Sequence, residues 1–365
     1  MPADVVHVNG TTTRERLLEV RNLTHEYVVR GHGGVKGGVV QAVSNISFEI
    51  GKNETLGVVG ETGCGKSTMA RAVLQYPKPK SGEVVFRGQD LVPLHGEPLR
   101  QARRHIQMVA QDPFSSLDPK WRVERLVEEP LTVFDPEPAA ERRERVSQLL
   151  ELVGLDPHLY GARHPRDLSG GQCQRVAIAR ALALSPELLV CDEAVSSLDV
   201  SIQAQILNLF EALKSELNLS YLFIAHDLSV VKHLSDRVAV MYLGRICEIS
   251  EADEIFVEPR HPYTAALLWS IPGASPAGRN HVRLSGEPPA PIDPPSGCRF
   301  HTRCPLAVER CAIEVPELRE VSRGHQVACH FPIGLSGPDI ADFEHRAELL
   351  WGAVPDRTVG GQNSQ

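Results

Sequence analysis

The sequence predicts an α/β fold: a largely parallel sheet covered by helices, with a helical subdomain inserted into it and a small appendage towards the C-terminus. Three observations predict it. The apolar run LGVV leads into GETGCGKST, residues 60–68, and on into MARAVLQ, which continues as a helix. From SGGQCQRVAIARALAL onward helix and strand alternate, through ELLVCD, SIQAQILNLFEALKSEL and LSYLFIAH. Between these parts, residues 121–160 are mostly helical, and ERRERVSQLLELVGL repeats apolar residues at helical spacing.

In chain order, LLEVRNLTHEY and NISFEI read as strands flanking a glycine-rich excursion, RGHGGVKGG, which is expected to be an exposed loop. GETGCGKST follows. Glycines at that density let the backbone curl until successive N–H groups point at one anion, which larger residues would obstruct. The pattern G-x-x-x-x-G-K-[ST] is met by Gly60, Gly65, Lys66 and Ser67. The amides of Glu61, Thr62, Gly63, Cys64 and Thr68 complete the wrap, Lys66 reaches the β- and γ-phosphates, and Ser67 ligates magnesium. A helix N-terminus behind the loop adds its dipole. EVVFRG and IQMVA read as further strands. No internal repeat relates two halves of the chain, so one nucleotide-binding unit is expected. Past residue 271 the character changes: SGEPPAPIDPPSG carries five prolines and reads as a stiff linker.

With 365 residues the chain can bury a substantial core. Its 38 Lys and Arg against 46 Asp and Glu leave a formal charge of -8, which argues against a nucleic-acid surface as its main business. No run approaches 18 apolar residues, and MPADVVHVNGTTTRER has neither a basic nor an apolar leader region. A protein that stays in the cytoplasm is expected. Of eight cysteines, Cys64, Cys173, Cys191 and Cys247 are scattered singly and read as reduced thiols. The other four crowd between residues 298 and 329.

ELLVCDE, residues 187–193, is an apolar strand ending in two acids, placed to deliver carboxylates to a phosphate site. Asp192 then supports magnesium and Glu193 activates water. LSGGQ, residues 168–172, sets Ser169, Gly170, Gly171 and Gln172 at the start of a long helix, a second anion-binding helix end. One nucleotide needs only one such cradle. The second makes sense if it closes over nucleotide held by another subunit, so dimerisation is expected to be part of the chemistry.

GETGCGKST, the Gln111 of VAQDPFSSLDP, LSGGQ, LLVCDE, SSLD and the His226 of FIAHD, in that order, resemble the nucleotide-binding subunit of ABC transporters over roughly residues 15–250. The resemblance implies that Tyr27 stacks on adenine, that Gln111 links magnesium to the transmembrane partner and belongs to the catalytic set, and that Ser169 and Gly171 contact the opposing γ-phosphate. It also implies that Asp199 lines the dimer seam and His226 senses the γ-phosphate. Ala194 and Ser197 replace the proline and alanine more usual after the catalytic acid. Neither removes a reacting group.

HPYTAALL, LSGEPPAPIDPPSGCRFHTRCP and the later cysteines resemble the C-terminal extension of the oligopeptide/dipeptide importer ATPases. The implied organisation is an ATPase domain at 15–258, with its helical subdomain at about 115–168, an extension at 259–333, and an unmatched tail at 334–365. The implied role is that of the second of two paired ATPases, peripheral at the cytoplasmic face of the membrane. Its implied partners are the related ATPase, two transmembrane permease subunits and an extracytoplasmic substrate-binding protein, with no nucleic acid. Peptides are the expected cargo, although nickel, oligosaccharide and glutathione systems share this ATPase type. A soluble ABC ATPase acting on DNA or ribosomes is the rival, disfavoured by the acidic balance, the single unit and the extension.

Cys298, Cys304, Cys311 and Cys329 are separated by five, six and seventeen residues. Four thiolates suit either zinc or an iron–sulfur cluster, and the spacing leaves both open. The resemblance favours a [4Fe–4S] cluster of structural role, with zinc as the alternative, expected to give shape to an extension with little core of its own.

Overall fold

The structure is a computed structural model and describes residues 15–30, 37–134, 138–270, 281–282, 284, 286–351 and 353–354. Most of the glycine-rich excursion, at 31–36, lies outside the described residues. The chain opens with β1 (Arg16–Val29) and β2 (Gly38–Gly51), which pair antiparallel, then β3 (Thr55–Val59) and α1 (Lys66–Val73). It continues through β4 (Ser81–Phe86), β5 (Gln89–Asp90), α2 (Gly96–Arg104) and β6 (Ile106–Val109). Four helices follow: α3 (Pro113–Ser116), α4 (Val123–Phe134), α5 (Ala139–Leu152) and α6 (Pro157–Tyr160). Then come α7 (Gly170–Leu182), β7 (Leu188–Asp192), α8 (Val200–Leu217), β8 (Ser220–Ile224), α9 (Leu228–Leu234), β9 (Arg237–Tyr242) and β10 (Arg245–Glu251). The C-terminal part holds α10 (Ala252–Val257), α11 (Pro262–Trp269), β11 (His281–Val282), α12 (Glu309–Ile313), β12 (Arg319–Ser322), β13 (His325–Val327), α13 (Ile340–Trp351) and β14 (Ala353–Val354).

The main sheet has the order β12-β13-β10-β9-β3-β8-β7-β6. Its centre is parallel, β9 beside β3, β3 beside β8, β8 beside β7 and β7 beside β6. Every residue of β3 (TLGVV), β7 (LLVCD) and β8 (SYLFI) is buried, the near-continuous apolar run expected of strands covered on both faces. A second sheet, β2-β1-β4-β5, packs the side chains Leu18, Val20, Val43, Ile46 and Val84 with α1 into one core, while the helical insertion shares another with α7 and α8. The predicted α/β fold with an inserted helical subdomain is therefore present, and the main sheet carries the phosphate loop on its parallel half.

The C-terminal region departs from the expectation of a small appendage on a stiff linker. Strand β13 pairs antiparallel with β10, so the hairpin β12–β13 extends the main sheet itself. Phe300 lies in the principal core, its ring 5.3 Å from those of both Tyr242 and Tyr263. In the proline-rich segment, the Gln41 amide on β2 donates to the Pro291 carbonyl at 3.0 Å, pinning part of that segment to the nucleotide domain. The tail, unmatched in the sequence, contributes α13, whose Phe343 ring stacks 5.1 Å from Trp269 of α11 in a core with Leu306 and Ile333. Apolar burial therefore contributes to the extension's shape, which corrects the expectation that it has little core of its own. Among the described residues no helix is long and apolar enough to cross a membrane.

Candidate active site

The C-terminal ends of the parallel strands converge on one place, as ligand sites in open α/β sheets do. Strand β3 runs into Gly60, whose φ of 153° and close approach leave no room for a side chain: a Cβ would lie 2.1 Å from the Met241 carbonyl oxygen. Gly65 has φ 108°, and a Cβ there would meet the Ala42 carbonyl oxygen at 2.0 Å. Thr62 and Gly63 stand exposed at the tip, Cys64 is buried beneath it, and Thr68 is half-buried in the first turn of α1. Burial raises the Cys64 thiol pKa, so it is a neutral packing group. Lys66 folds back into the loop, its Nζ donating to the carbonyls of Gly60 at 2.7 Å and Glu61 at 3.2 Å.

Asp192 ends β7 and accepts a hydrogen bond from Ser67 Oγ at 2.7 Å. The side chain is buried, which raises its pKa despite the Ser67 hydrogen bond. A carboxylate kept from water in this way fits a cation, and Ser67 and Asp192 are the pair expected to hold magnesium. Glu193, the next residue, has a left-handed backbone at φ 51°, while its N–H is held by the Ile224 carbonyl of β8 at 3.0 Å. That turn carries its carboxylate to within 3.9 Å of Lys66 Nζ, and Gln111, just beyond β6, donates to its other oxygen at 2.9 Å. His226 lies exposed just past β8. The structure therefore brings Lys66, Ser67, Asp192, Glu193 and Gln111 together.

LSGGQ forms a capped helix start. Ser169 Oγ accepts from the Gln172 amide at 3.3 Å, and the Gln172 side chain accepts from the Ser169 amide at 2.9 Å, a reciprocal pair that closes the N-terminus of α7. Gly170 and Gly171 let this helix start pack on the next segment: a Cβ on Gly171 would lie 2.5 Å from Ile202 of α8. Asp199 caps α8 by accepting from the Ile202 amide at 3.0 Å and from Ser201 Oγ at 2.8 Å, and these hydrogen bonds lower its pKa. Among the described residues, Ser169–Gln172 make no hydrogen bond to the Gly60–Thr68 loop. Tyr27 stands 38 % exposed on β1, its ring edge-on to His25 at 4.7 Å.

Sequence reasoning missed two contributors to the phosphate loop, both from beyond residue 259. Tyr263 Oη of α11 accepts the Glu61 N–H at 2.9 Å, and the Arg303 guanidinium grips the Glu61 carboxylate. Tyr263 lies in HPYTAALL and Arg303 in GCRFHTRCP, runs that mark the C-terminal extension, but neither run by itself names Glu61 as its partner.

Cys298, Cys304, Cys311 and Cys329 line one small cavity, together with His261, Phe300 and His301. All four are free thiols. Burial raises the pKa of Cys298 and Cys304 and pushes Cys329 up to about 12, so a bound cation is needed to hold them as thiolates. These are the four thiols at which a metal or cluster is expected from the sequence. Among the described residues, however, no group of three or more His, Cys, Asp or Glu stands at metal-holding geometry.

Residues 43–196 match the family described as ABC transporter, and residues 247–311 match the oligopeptide/dipeptide transporter C-terminal region. The chain is 49 % identical over 322 residues to the oligopeptide transport ATP-binding protein AppF of Bacillus subtilis, covering 87 % of this chain and 98 % of that protein. It is 48 % identical over 318 residues to the di/tripeptide transport ATP-binding protein DppF of Pseudomonas aeruginosa, with coverages of 87 % and 98 %. Among solved structures it resembles the dimeric ATP-binding cassette MJ0796 in a post-hydrolysis state bound to ADP and Pi. The TM-score is 0.58 at 28 % identity, over 65 % of this chain and 99 % of that one.

Proposed function

The chain belongs to the ABC transporter ATP-binding proteins that carry the oligopeptide/dipeptide transporter C-terminal region, and from that membership we propose that it powers peptide import as one of two paired, non-identical ATPases. It is an ATPase coupled to transport. The observation that carries the reading is the convergence of Lys66, Ser67, Asp192, Glu193 and Gln111 at the ends of β3, β6 and β7, on a chain whose C-terminal region is built into the same sheet.

In the mechanism, the loop from Gly60 to Thr68 turns its amides towards the phosphates and Lys66 exchanges its carbonyl partners for phosphate oxygens. Ser67 and Asp192, with Gln111 nearby, would hold magnesium, which would supply charge neutralisation on those oxygens. Glu193 accepts the proton of the attacking water, with the Gln111 amide orienting its carboxylate. Tyr27 offers a face for adenine stacking and His226 a polar group beside the γ-phosphate. Ser169, Gly170, Gly171 and Gln172 close over the nucleotide of the partner ATPase, and Asp199 lies along the seam between them. ATPase domain 15–258, extension 259–333 and tail 334–365 are functional divisions of one folded body.

The partners that follow are a related ATPase, two transmembrane permease subunits and an extracytoplasmic binding protein, with this chain at the cytoplasmic face of the membrane. The cysteine set takes a [4Fe–4S] cluster, with zinc as the alternative. Support comes from the four thiols lining one cavity.

Reconstitution of the chain with its permease subunits and binding protein in vesicles tests the transport reading. Peptide-stimulated ATP hydrolysis and labelled peptide uptake are expected. Stimulation by nickel, an oligosaccharide or glutathione instead would reassign the cargo, and a complete transporter holding two copies of this chain would overturn the pairing. Anaerobically purified chain with iron and acid-labile sulfide supports the cluster. Stoichiometric zinc would replace it, and metal-free protein would remove the site.

A further inference from the structure

Glu61, the second residue of the phosphate loop, is held at three points. Its carboxylate receives a forked pair from Arg303, Nη1 at 2.8 Å and Nη2 at 3.1 Å. Its N–H donates to Tyr263 Oη at 2.9 Å, and its carbonyl accepts from Lys66 Nζ at 3.2 Å. Arg303 comes from the C-terminal region, on a single turn of helix, His301–Arg303, that ends at Cys304. Its side chain is only 6 % exposed, and Nη1 also reaches Tyr242 Oη at 3.3 Å. Its carbonyl is fixed by Trp351 Nε1 of α13 at 3.0 Å. A planar guanidinium that is nearly buried, paired in a fork with one carboxylate and bonded to a tyrosine hydroxyl, leaves that carboxylate little freedom.

We propose that Arg303 is a positioning residue of the nucleotide site: through Glu61 it fixes the loop that carries the Lys66 carbonyl partner, so the C-terminal region sets the affinity of the loop for nucleotide. The chain of contacts is continuous. Arg303 orients the Glu61 side chain, and Tyr263 holds the Glu61 N–H, whose peptide plane carries the Gly60 carbonyl that accepts from Lys66 Nζ at 2.7 Å, so the carbonyls of residues 60 and 61 are presented to the lysine that must reach the phosphates. Loss of the fork frees the first half of the loop, and with it the carbonyls that hold Lys66, while Ser67, Asp192 and Glu193 stay in place. The cost therefore falls on binding rather than on the chemical step.

The test measures the dissociation constant of a fluorescent methylanthraniloyl-ATP and the ATP KM and kcat on the full chain. The variants are R303M, R303K, E61Q, the E61Q/R303M double, and R310A as a control on an exposed arginine of α12. R303M and E61Q are each expected to weaken nucleotide binding roughly tenfold to a hundredfold, the span of one charge-assisted pair. The double variant is expected to bind about as well as the weaker single, because the first substitution has already broken the Arg303–Glu61 pair. R303K recovers part of the affinity, R310A matches the wild type, and KM moves more than kcat. A purely structural role lowers the melting temperature and the active fraction but leaves the dissociation constant of the folded fraction unchanged. Should R303M fail to fold, E61Q decides alone. Affinity within twofold of wild type in folded E61Q, or additive effects in the double variant, overturns the proposal.

Discussion

The Gln111 amide donates a 2.9 Å hydrogen bond to Glu193 Oε2, and Glu193 Oε1 lies 3.9 Å from Lys66 Nζ, so the acid is held from two sides. The left-handed turn at Glu193 is what aims it there. An acid set by its backbone and by two partners is pre-oriented for one proton acceptance.

Glu193→Gln should therefore keep nucleotide affinity and lose turnover by about 10²–10⁴-fold, the typical worth of a general base. Parallel measurement of ATP binding and phosphate release on the chain assembled with its partners checks this. Turnover at the wild-type rate would take the role away from Glu193.

Gly65→Ala should damage the loop from its backbone, because the new Cβ would fall 2.0 Å from the Ala42 carbonyl oxygen at a φ of 108°. Left-handed strain alone costs about 1–3 kcal/mol, and the clash adds to it. A loss of ATP binding of tenfold or more, read by equilibrium titration, is expected.

Asp192→Asn keeps an oxygen for the Ser67 hydroxyl but removes the charge from a buried position. The magnesium concentration for half-maximal hydrolysis should rise by about tenfold or more while Mg-free nucleotide binding changes little. A magnesium titration identical to wild type would place the ion elsewhere.

His325 of β13 spans Glu248 of β10 at 2.7 Å and Glu254 of α10 at 3.0 Å, with its side chain fully buried. Burial works against its charge, but the two carboxylates outweigh that and raise its pKa above the ordinary histidine range. Its folded value exceeds its unfolded one. The stability it contributes is therefore complete below the ordinary pKa of about 6.5 and is lost as pH rises through the raised value. His261 behaves oppositely: burial depresses it to about 4, so its contribution is present above about 6.5 and lost as pH falls towards 4. Thermal melts across pH should show both limbs. His325→Gln should flatten the alkaline limb alone.

The nucleotide side of the molecule was legible because it is written in contiguous runs. A glycine loop, a capped helix start and an apolar strand ending in acids each declare themselves within ten residues, and the strands β3, β7 and β8 fell where their apolar runs placed them. What stayed illegible is long-range. Glu61 and Arg303 are 242 residues apart, and although Arg303 lies in the run GCRFHTRCP, nothing local shows that it reaches the phosphate loop. The three residues His325–Val327 are too short a run to announce a strand, and they become one only because β10 offers a free edge. The left-handed backbone at Glu193 likewise has no signature in a non-glycine residue.

The β12–β13 hairpin covers the edge of β10. A chain cut after residue 258, the obvious choice for a minimal cassette, would strip β13 from Glu248 and Ile249 and leave the unpaired backbone of buried β10 open to the same strand of another molecule. The intact chain presents β12 there instead, four residues long with Arg319 and Glu320 turned to water, a short and charged border on which a second sheet gains little purchase.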